Sequence, residues 1–272
     1  MKIGSRKFKD EKTYIMGILN VTPDSFSDGG KFDRVETALI HVKDMIDAGA
    51  DIIDIGGEST RPGHGPQISD EEEKKRVLPV IHAIKERFDI PVSLDTYKPA
   101  VAEAGILEGV DMINDIWGLR YDPRMAEVIA EYDVPACLMH NREKADYKNF
   151  LEEVEDDLKE TLRIAERAGI KQDKIILDPG LGFGKNYEQN LIVLANLEYF
   201  KRLNMPLLLG SSRKSVIGMT LDLPVEEREE GTIVTSVLAV QAGYQFVRVH
   251  NVAGNKRALR MTEAILEQRV RE

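Results

Sequence analysis

Hydrophobic and polar positions along this chain follow two periods that alternate. Short, nearly continuous apolar runs occur at Tyr14–Asn20 (YIMGILN), Asp51–Ile55 (DIIDI), Val92–Asp95 (VSLD) and Met112–Asp115 (MIND). Four more follow at Ala136–Met139 (ACLM), Ile175–Asp178 (IILD), Leu207–Gly210 (LLLG) and Phe246–Val249 (FVRV). Runs of this length and composition predict strands buried on both faces, as in a parallel sheet. Between them the apolar spacing turns helical. Val35, Ala38, Leu39, Val42, Met45 and Ile46 form one stripe, and Phe150, Leu151, Val154, Leu158, Leu162 and Ala165 another. Ser69 and Glu72 have the spacing of a capping box that opens a helix, in which Pro79 predicts a kink.

Eight strand–helix repeats in 272 residues predict an α/β fold, a (β/α)8 TIM barrel. A doubly wound sheet would carry similar repeats but also a Gly-rich dinucleotide turn after its first strand. Here that turn reads NVTPDSFSDGG, without the GxGxxG spacing. No Pro/Gly/Ser-rich linker divides the chain, so residues 1–272 are expected to form a single domain, with 1–13 as a polar N-terminal leader. The loops after strands one and two, TPDSFSDGG and GGESTRPGHGPQIS, are long and rich in turn residues, as binding loops are.

Composition narrows the partners. With 37 Lys+Arg against 47 Asp+Glu the net charge is −10, which argues against nonspecific binding to nucleic acid or anionic lipid. The apolar runs fall far short of the roughly 18–20 residues of a membrane span. One cysteine, Cys137, cannot form an internal disulfide. The expectation is a cytoplasmic protein with no membrane or nucleic-acid partner.

Active sites of such barrels lie at the C-terminal strand ends. Those positions hold Asn20, Asp54, Asp95, Asn114, Asp115, His140, Asp178, Arg248 and His250, with Lys214 just past the seventh run. A single strand-end Asp serves as a helix cap about as often as a ligand, but the recurrence at nearly every strand points to a ligand site. Asp95, Asn114 and Asp178 suit the edge of a flat, nitrogen-rich heterocycle, because a carboxylate accepts two N–H donors side by side. Lys214 and Arg248 stand in the quarter of the fold that usually binds anions. The GSSRKS segment adds a short helix start facing the same mouth, and Arg61 adds another cation. Asn20 and His250 could hold a phosphate or a hydrated Mg2+. Cys137 reads as a buried packing residue, His41 and His82 as surface or packing residues, and His140 as at most a supporting one.

The blocks GILNVTPDSFSDGG, GADIIDIGGESTRPG, SLDTYKP, INDIWGL, ILDPGLGFGK, GSSRKS and FVRVHNV, in this order, closely resemble the dihydropteroate synthase family. They span residues 15–252. The resemblance implies condensation of 6-hydroxymethyl-7,8-dihydropterin diphosphate with 4-aminobenzoate, yielding 7,8-dihydropteroate and diphosphate in folate biosynthesis. The family is the sulfonamide target and is commonly homodimeric. By the same resemblance Asp95, Asn114, Asp178 and Lys214 match pterin-pocket positions, and Asn20 matches the Mg2+ ligand. Arg61, Arg248 and His250 match diphosphate contacts. Thr60, Pro62, Phe183, Ser212 and Lys214 match positions around the aminobenzoate. Asp95, Lys214, Arg248 and His250 are the expected catalytic set, and the implied mechanism is dissociative. A corrinoid-linked methyltetrahydrofolate methyltransferase on the same pterin-binding barrel is the alternative, but it has no need of the diphosphate residues. Two stretches depart from the common family pattern: Asn141–Lys144 after His140, and Asn251 where Asp is frequent.

Overall fold

The computed structural model describes residues 1–9, 11–22, 31–59 and 67–268, with the backbone alone at 31–33. A two-residue hairpin opens the chain, β1 (Lys2–Ile3) pairing antiparallel with β2 (Arg6–Lys7). Then come β3 (Tyr14–Asn20), β4 (Ile52–Gly56), β5 (Val92–Asp95), β6 (Met112–Asp115), β7 (Ala136–Met139), β8 (Ile175–Asp178), β9 (Leu208–Leu209) and β10 (Phe246–Val249). These eight lie parallel in the order β8-β7-β6-β5-β4-β3-β10-β9, and a Leu177–Leu207 bridge joins the two edges into a closed barrel. The (β/α)8 architecture is therefore as expected. Two strands differ from the expected bounds at both ends, the second running on to Gly56 and the seventh stopping before Gly210. The second strand starts at Ile52 rather than Asp51, whose carboxylate accepts the Ile15 N–H. The seventh keeps only Leu208–Leu209 as a ladder, with Leu207 in the closing bridge.

Around the barrel run α1 (Lys31–Asp47), α2 (Asp70–Arg87), α3 (Pro99–Leu107), α4 (Arg124–Glu131), α5 (Phe150–Ala168), α6 (Tyr187–Ala195), α7 (Ser215–Leu221), α8 (Glu229–Gln241) and α9 (Val252–Leu266). At the start of α2 only half of the expected capping box forms. Ser69 Oγ accepts the Glu72 N–H, while the Glu72 carboxylate pairs with Arg76 at 2.9 Å instead of turning back. The helix continues through Pro79 to Arg87.

The strand period of two places each side chain. Outward-facing residues such as Ile15, Ile53, Leu94, Ile113, Leu138, Leu177, Leu209 and Val247 pack in the core shared with the helices. Their neighbours point into the barrel, and they are layered. The lower layer is apolar: Met16, Ile52, Met112, Cys137, Ile176, Leu208 and Phe246 form one cluster with Ile3 and Phe8. The first nine residues are thus more than a polar leader, because the hairpin buries Ile3 and Phe8 against the bottom of the barrel. Two residues further along, β4, β5, β6, β8 and β10 turn polar with Asp54, Asp95, Asn114, Asp178 and Arg248, while Ile18, Met139 and Gly210 hold the corresponding places on or beside the other three strands.

Candidate active site

That polar layer is a ring of charge. Asp54, Asp95, Asn114 and Asp178 are all buried, and Arg248 keeps 19% of its side chain exposed. Arg248 Nε donates to Asp54 Oδ2 at 2.5 Å and its Nη2 to Asp95 Oδ2 at 2.7 Å. Asn114 Nδ2 also donates to Asp54 Oδ2, at 3.2 Å. One carboxylate oxygen thus takes two donors and ties three strands together. The other oxygens, Oδ1 of Asp54 and of Asp95, are buried with no hydrogen-bond partner among the described residues. An unpaired buried acceptor costs free energy unless something satisfies it, and a ligand bearing N–H groups is one such partner. Burial pushes the Asp95 carboxyl up to about 7; Arg248 pulls it down, and Asp54 pushes it up again. Asp115 is one residue from Asn114 but on the opposite face of the strand. Its carboxylate accepts the N–H groups of Trp117 (2.8 Å) and Leu119 (2.6 Å), so it shapes the following turn rather than the ring.

Asp178 stands at the end of β8 beside a turn built from glycine. Its Oδ1 accepts the Gly180 N–H at 2.7 Å. A Cβ on Gly210 would come within 3.4 Å of its Oδ2, so the bare glycine at the end of the seventh run leaves that oxygen accessible. Lys214 donates to the Leu181 carbonyl, and its ammonium lies 4.7 Å over the Phe183 ring. Burial lowers the Lys214 ammonium to about 8 against the pull of Asp178. Lys214 caps the short helix α7, and Ser212 sits just before it. Ser212 Oγ and His250 Nδ1 are 2.9 Å apart, and the His250 N–H donates to the same Oγ. An apolar wall of Tyr97, Ile116 and Met139, with Trp117 and Phe183 packed against it, completes the mouth. Asn20 ends β3 opposite Gly56 on the neighbouring strand, where a Cβ would lie 3.7 Å from its carboxamide oxygen.

Of the expected site residues, Asp95 and Arg248 meet directly, and Asn114 joins them through Asp54 Oδ2. Asp178, Phe183 and Lys214 meet through the glycine turn, and Ser212 meets His250. Thr60, Arg61 and Pro62 lie outside the described residues. Arg248, expected as a diphosphate contact, has its guanidinium engaged with two carboxylates. Asp54, a strand-end carboxylate, is bound into the ring.

A scan against family models matches residues 16–250 to the pterin binding enzyme family. The chain is 60% identical to the dihydropteroate synthase of Clostridium beijerinckii, over 98% of this chain and all of that protein. The chain belongs to the dihydropteroate synthase family. Among solved structures, the dihydropteroate synthase of Clostridium difficile, crystallised in the presence of pteroic acid, superposes with a TM-score of 0.92 at 52% identity. It covers 97% of this chain and 98% of that one. The dihydropteroate synthase of Xanthomonas albilineans with 4-aminobenzoic acid superposes at 0.89 with 41% identity, covering 94% of each chain.

Two lysines that neither motif nor spacing singled out stand behind this synthase-family site. Lys98, buried, donates to Glu58 Oε2 at 2.7 Å, to the Ile68 carbonyl at 2.7 Å and to Glu73 Oε2 at 2.8 Å. It thereby joins β5 to both stems of the loop after β4. Lys185 holds the glycine turn from behind, with Nζ 2.7 Å from His140 Nδ1. The only signal for either was a lysine inside a family block, YKP and FGK, with nothing to indicate its partners.

Proposed function

We propose that the barrel mouth condenses 6-hydroxymethyl-7,8-dihydropterin diphosphate with 4-aminobenzoate, releasing diphosphate and forming 7,8-dihydropteroate. The observation that carries the reading is the buried polar ring of Asp54, Asp95, Asn114 and Arg248, set beside Asp178 and an apolar wall. A flat heterocycle can slide along the wall while its ring N–H and amino groups reach Asp178 and the free Oδ1 of Asp95. Asn114 adds a carboxamide that can both donate and accept.

Departure of the diphosphate leaves a cationic methylene on the pterin, and the carboxylates of Asp95 and Asp178 stabilise that charge from fixed positions. Lys214, Arg248 and His250 face the departing anion, with Arg61 from the second loop. The Asn20 oxygen would hold a Mg2+, since a single neutral oxygen suits an ion that keeps most of its waters. Among the described residues no group of three or more His, Cys, Asp or Glu side chains forms a protein-only cage. A bound Mg2+ would supply charge neutralisation for the leaving diphosphate. Ser212 and the start of the segment after it receive the aminobenzoate carboxylate, Phe183 packs on its ring, and Thr60 and Pro62 close over it. The amine then attacks the cation, and its surplus proton passes to solvent.

The same reading places the protein in the cytoplasm as a homodimer, without nucleic-acid or membrane partners. No helix of the described residues is long and apolar enough to cross a membrane. Exposed Met219, Leu221, Val234, Leu238, Met261 and Ile265 on α7, α8 and α9 supply an apolar face for a second copy. The test is diphosphate release by the purified protein with each component omitted in turn. Release that requires pterin diphosphate, aminobenzoate and Mg2+ together supports the reading; release indifferent to the amine contradicts it.

A further inference from the structure

The turn that joins β8 to α6 is laid directly on the backbone that follows β7. Gly180, Gly182 and Gly184 all have positive φ, at 73°, 82° and 55°. A Cβ at Gly180 would sit 1.9 Å from the His140 carbonyl oxygen, and one at Gly184 would sit 2.5 Å from that of Arg142. Inside this turn lies the ammonium of Lys185. Its three protons meet three acceptors: the Gly180 carbonyl at 3.0 Å, the Phe183 carbonyl at 3.1 Å and His140 Nδ1 at 2.7 Å.

That geometry also assigns the histidine. An ammonium has no lone pair, so His140 Nδ1 must accept, and the ring proton sits on Nε2. Nε2 then donates to Asp157 Oδ2 on α5, 3.0 Å away. Asp157 is further bound by Arg142 Nε at 2.6 Å and Arg120 Nη1 at 3.1 Å. The imidazole stays neutral, because burial and the adjacent Lys185 push it down to about 3.

We propose that Lys185 is a positioning residue for the pterin-binding carboxylate: its ammonium holds the Gly180–Phe183 turn against Asp178 and supplies positive charge that keeps Asp178 ionised. The inference rests on the reading of Asp178 as the pterin acceptor. With all three protons engaged, Lys185 has none left for a ligand, so it acts through Asp178 and the turn. Asp178 needs such help. Burial pushes its carboxyl up, and what opposes that rise is Lys214 first, then the Gly180 N–H, Lys185 and Arg248. Lys214 and Arg248 belong to the mouth, where substrate charge would compete for them. Lys185 instead has its protons on the turn carbonyls and His140. Burial pushes the Lys185 ammonium itself down to about 7, with Lys214 and Arg142 pushing the same way and Asp178 and Asp157 holding it up, so its charge is carried below neutral pH, where the affinity test is made.

The test separates charge from scaffolding. The full chain, labelled at aspartate Cγ, is titrated by NMR, with the Asp178 resonance assigned by its loss in Asp178→Asn. Lys185→Gln keeps donors for the turn carbonyls but removes the charge, and should raise the Asp178 midpoint by roughly half a pH unit or more. The affinity for an oxidised pterin lacking diphosphate, measured by calorimetry at pH 6.5, should fall about tenfold. Lys185→Arg keeps the charge and should leave the midpoint in place. A midpoint unmoved in Lys185→Gln overturns the proposal, whatever happens to thermal stability. Should Lys185→Gln not fold, Lys185→Arg decides alone: a shifted Asp178 midpoint with the charge retained also overturns it. If Asp178→Asn binds the pterin as tightly as the wild type, the pterin reading of Asp178 fails instead, and the titration still reports on Lys185.

Discussion

Asp95→Asn should abolish turnover and yet, at neutral pH and above, make the fold more stable. The reason is that two buried carboxylates share one guanidinium: Arg248 reaches Asp54 at 2.5 Å and Asp95 at 2.7 Å, and each carboxylate buries its other oxygen with no partner among the described residues. Burial holds the Asp95 carboxyl at about 7 instead of its ordinary 3.8, against the pull of Arg248. Between those two values the folded protein keeps a proton that the unfolded chain has released. Stability therefore falls as pH rises through that window and levels off above about 7. At about 1.4 kcal/mol for each pH unit, the ionised Asp95 costs the fold up to about 4 kcal/mol at pH 8. Asparagine keeps an acceptor for Arg248 but buries a carboxamide whose own desolvation offsets about 1–3 kcal/mol. The net gain is about 1–3 kcal/mol, which raises the Tm of a domain this size by roughly 2–12 °C. Thermal unfolding followed by circular dichroism at pH 5, 6.5 and 8 reads it directly. The variant should gain most at pH 8 and least at pH 5. A Tm below wild type at pH 8, or a gain that shrinks as pH rises, refutes the account of the ring.

Three further outcomes follow from the same geometry. Lys98→Met leaves Glu58 and Glu73 facing each other in a buried site; it should cost about 3–5 kcal/mol by chemical denaturation and raise the KM for aminobenzoate more than that for the pterin diphosphate. Ser212→Ala removes the hydroxyl shared with His250, and should raise the KM for aminobenzoate about tenfold while pterin affinity measured by calorimetry stays within about threefold, as the loss of one hydrogen bond to a charged group implies. Asn20→Ala should raise the Mg2+ concentration needed for half-maximal rate, and an unchanged Mg2+ titration would remove Asn20 from the metal site.

The barrel was legible in the sequence because its strands obey a strict rule. Inward and outward positions alternate, and the outward ones are apolar almost without exception. Asp95, Asn114, Asp178 and Arg248 stood out as polar residues on strands otherwise written in Ile, Leu and Val. What did not show was which of them would pair. Nothing in FVRV says that Arg248 will bridge Asp54 and Asp95, because those partners are 194 and 153 residues away and meet only when the barrel closes. Asn114 and Asp115 look alike as neighbours, yet the pleat sends one into the ring and the other into the turn after β6. Lys98 and Lys185 were hidden for a similar reason. A lysine in a loop reads as a solvated charge until the folded chain surrounds it with carbonyls. At the N-terminus the cations of MKIGSRKFK masked Ile3 and Phe8, two apolar residues spaced by a hairpin rather than by a strand or helix period.

The most direct test of the function is to follow carbon. The purified protein is given the pterin diphosphate, Mg2+ and ring-labelled 4-aminobenzoate, and the products are separated and weighed by mass spectrometry. The account predicts labelled 7,8-dihydropteroate in equal amount to the diphosphate released, with none formed by Asp178→Ala. Diphosphate release without label in a pterin product, or undiminished product from Asp178→Ala, would contradict it.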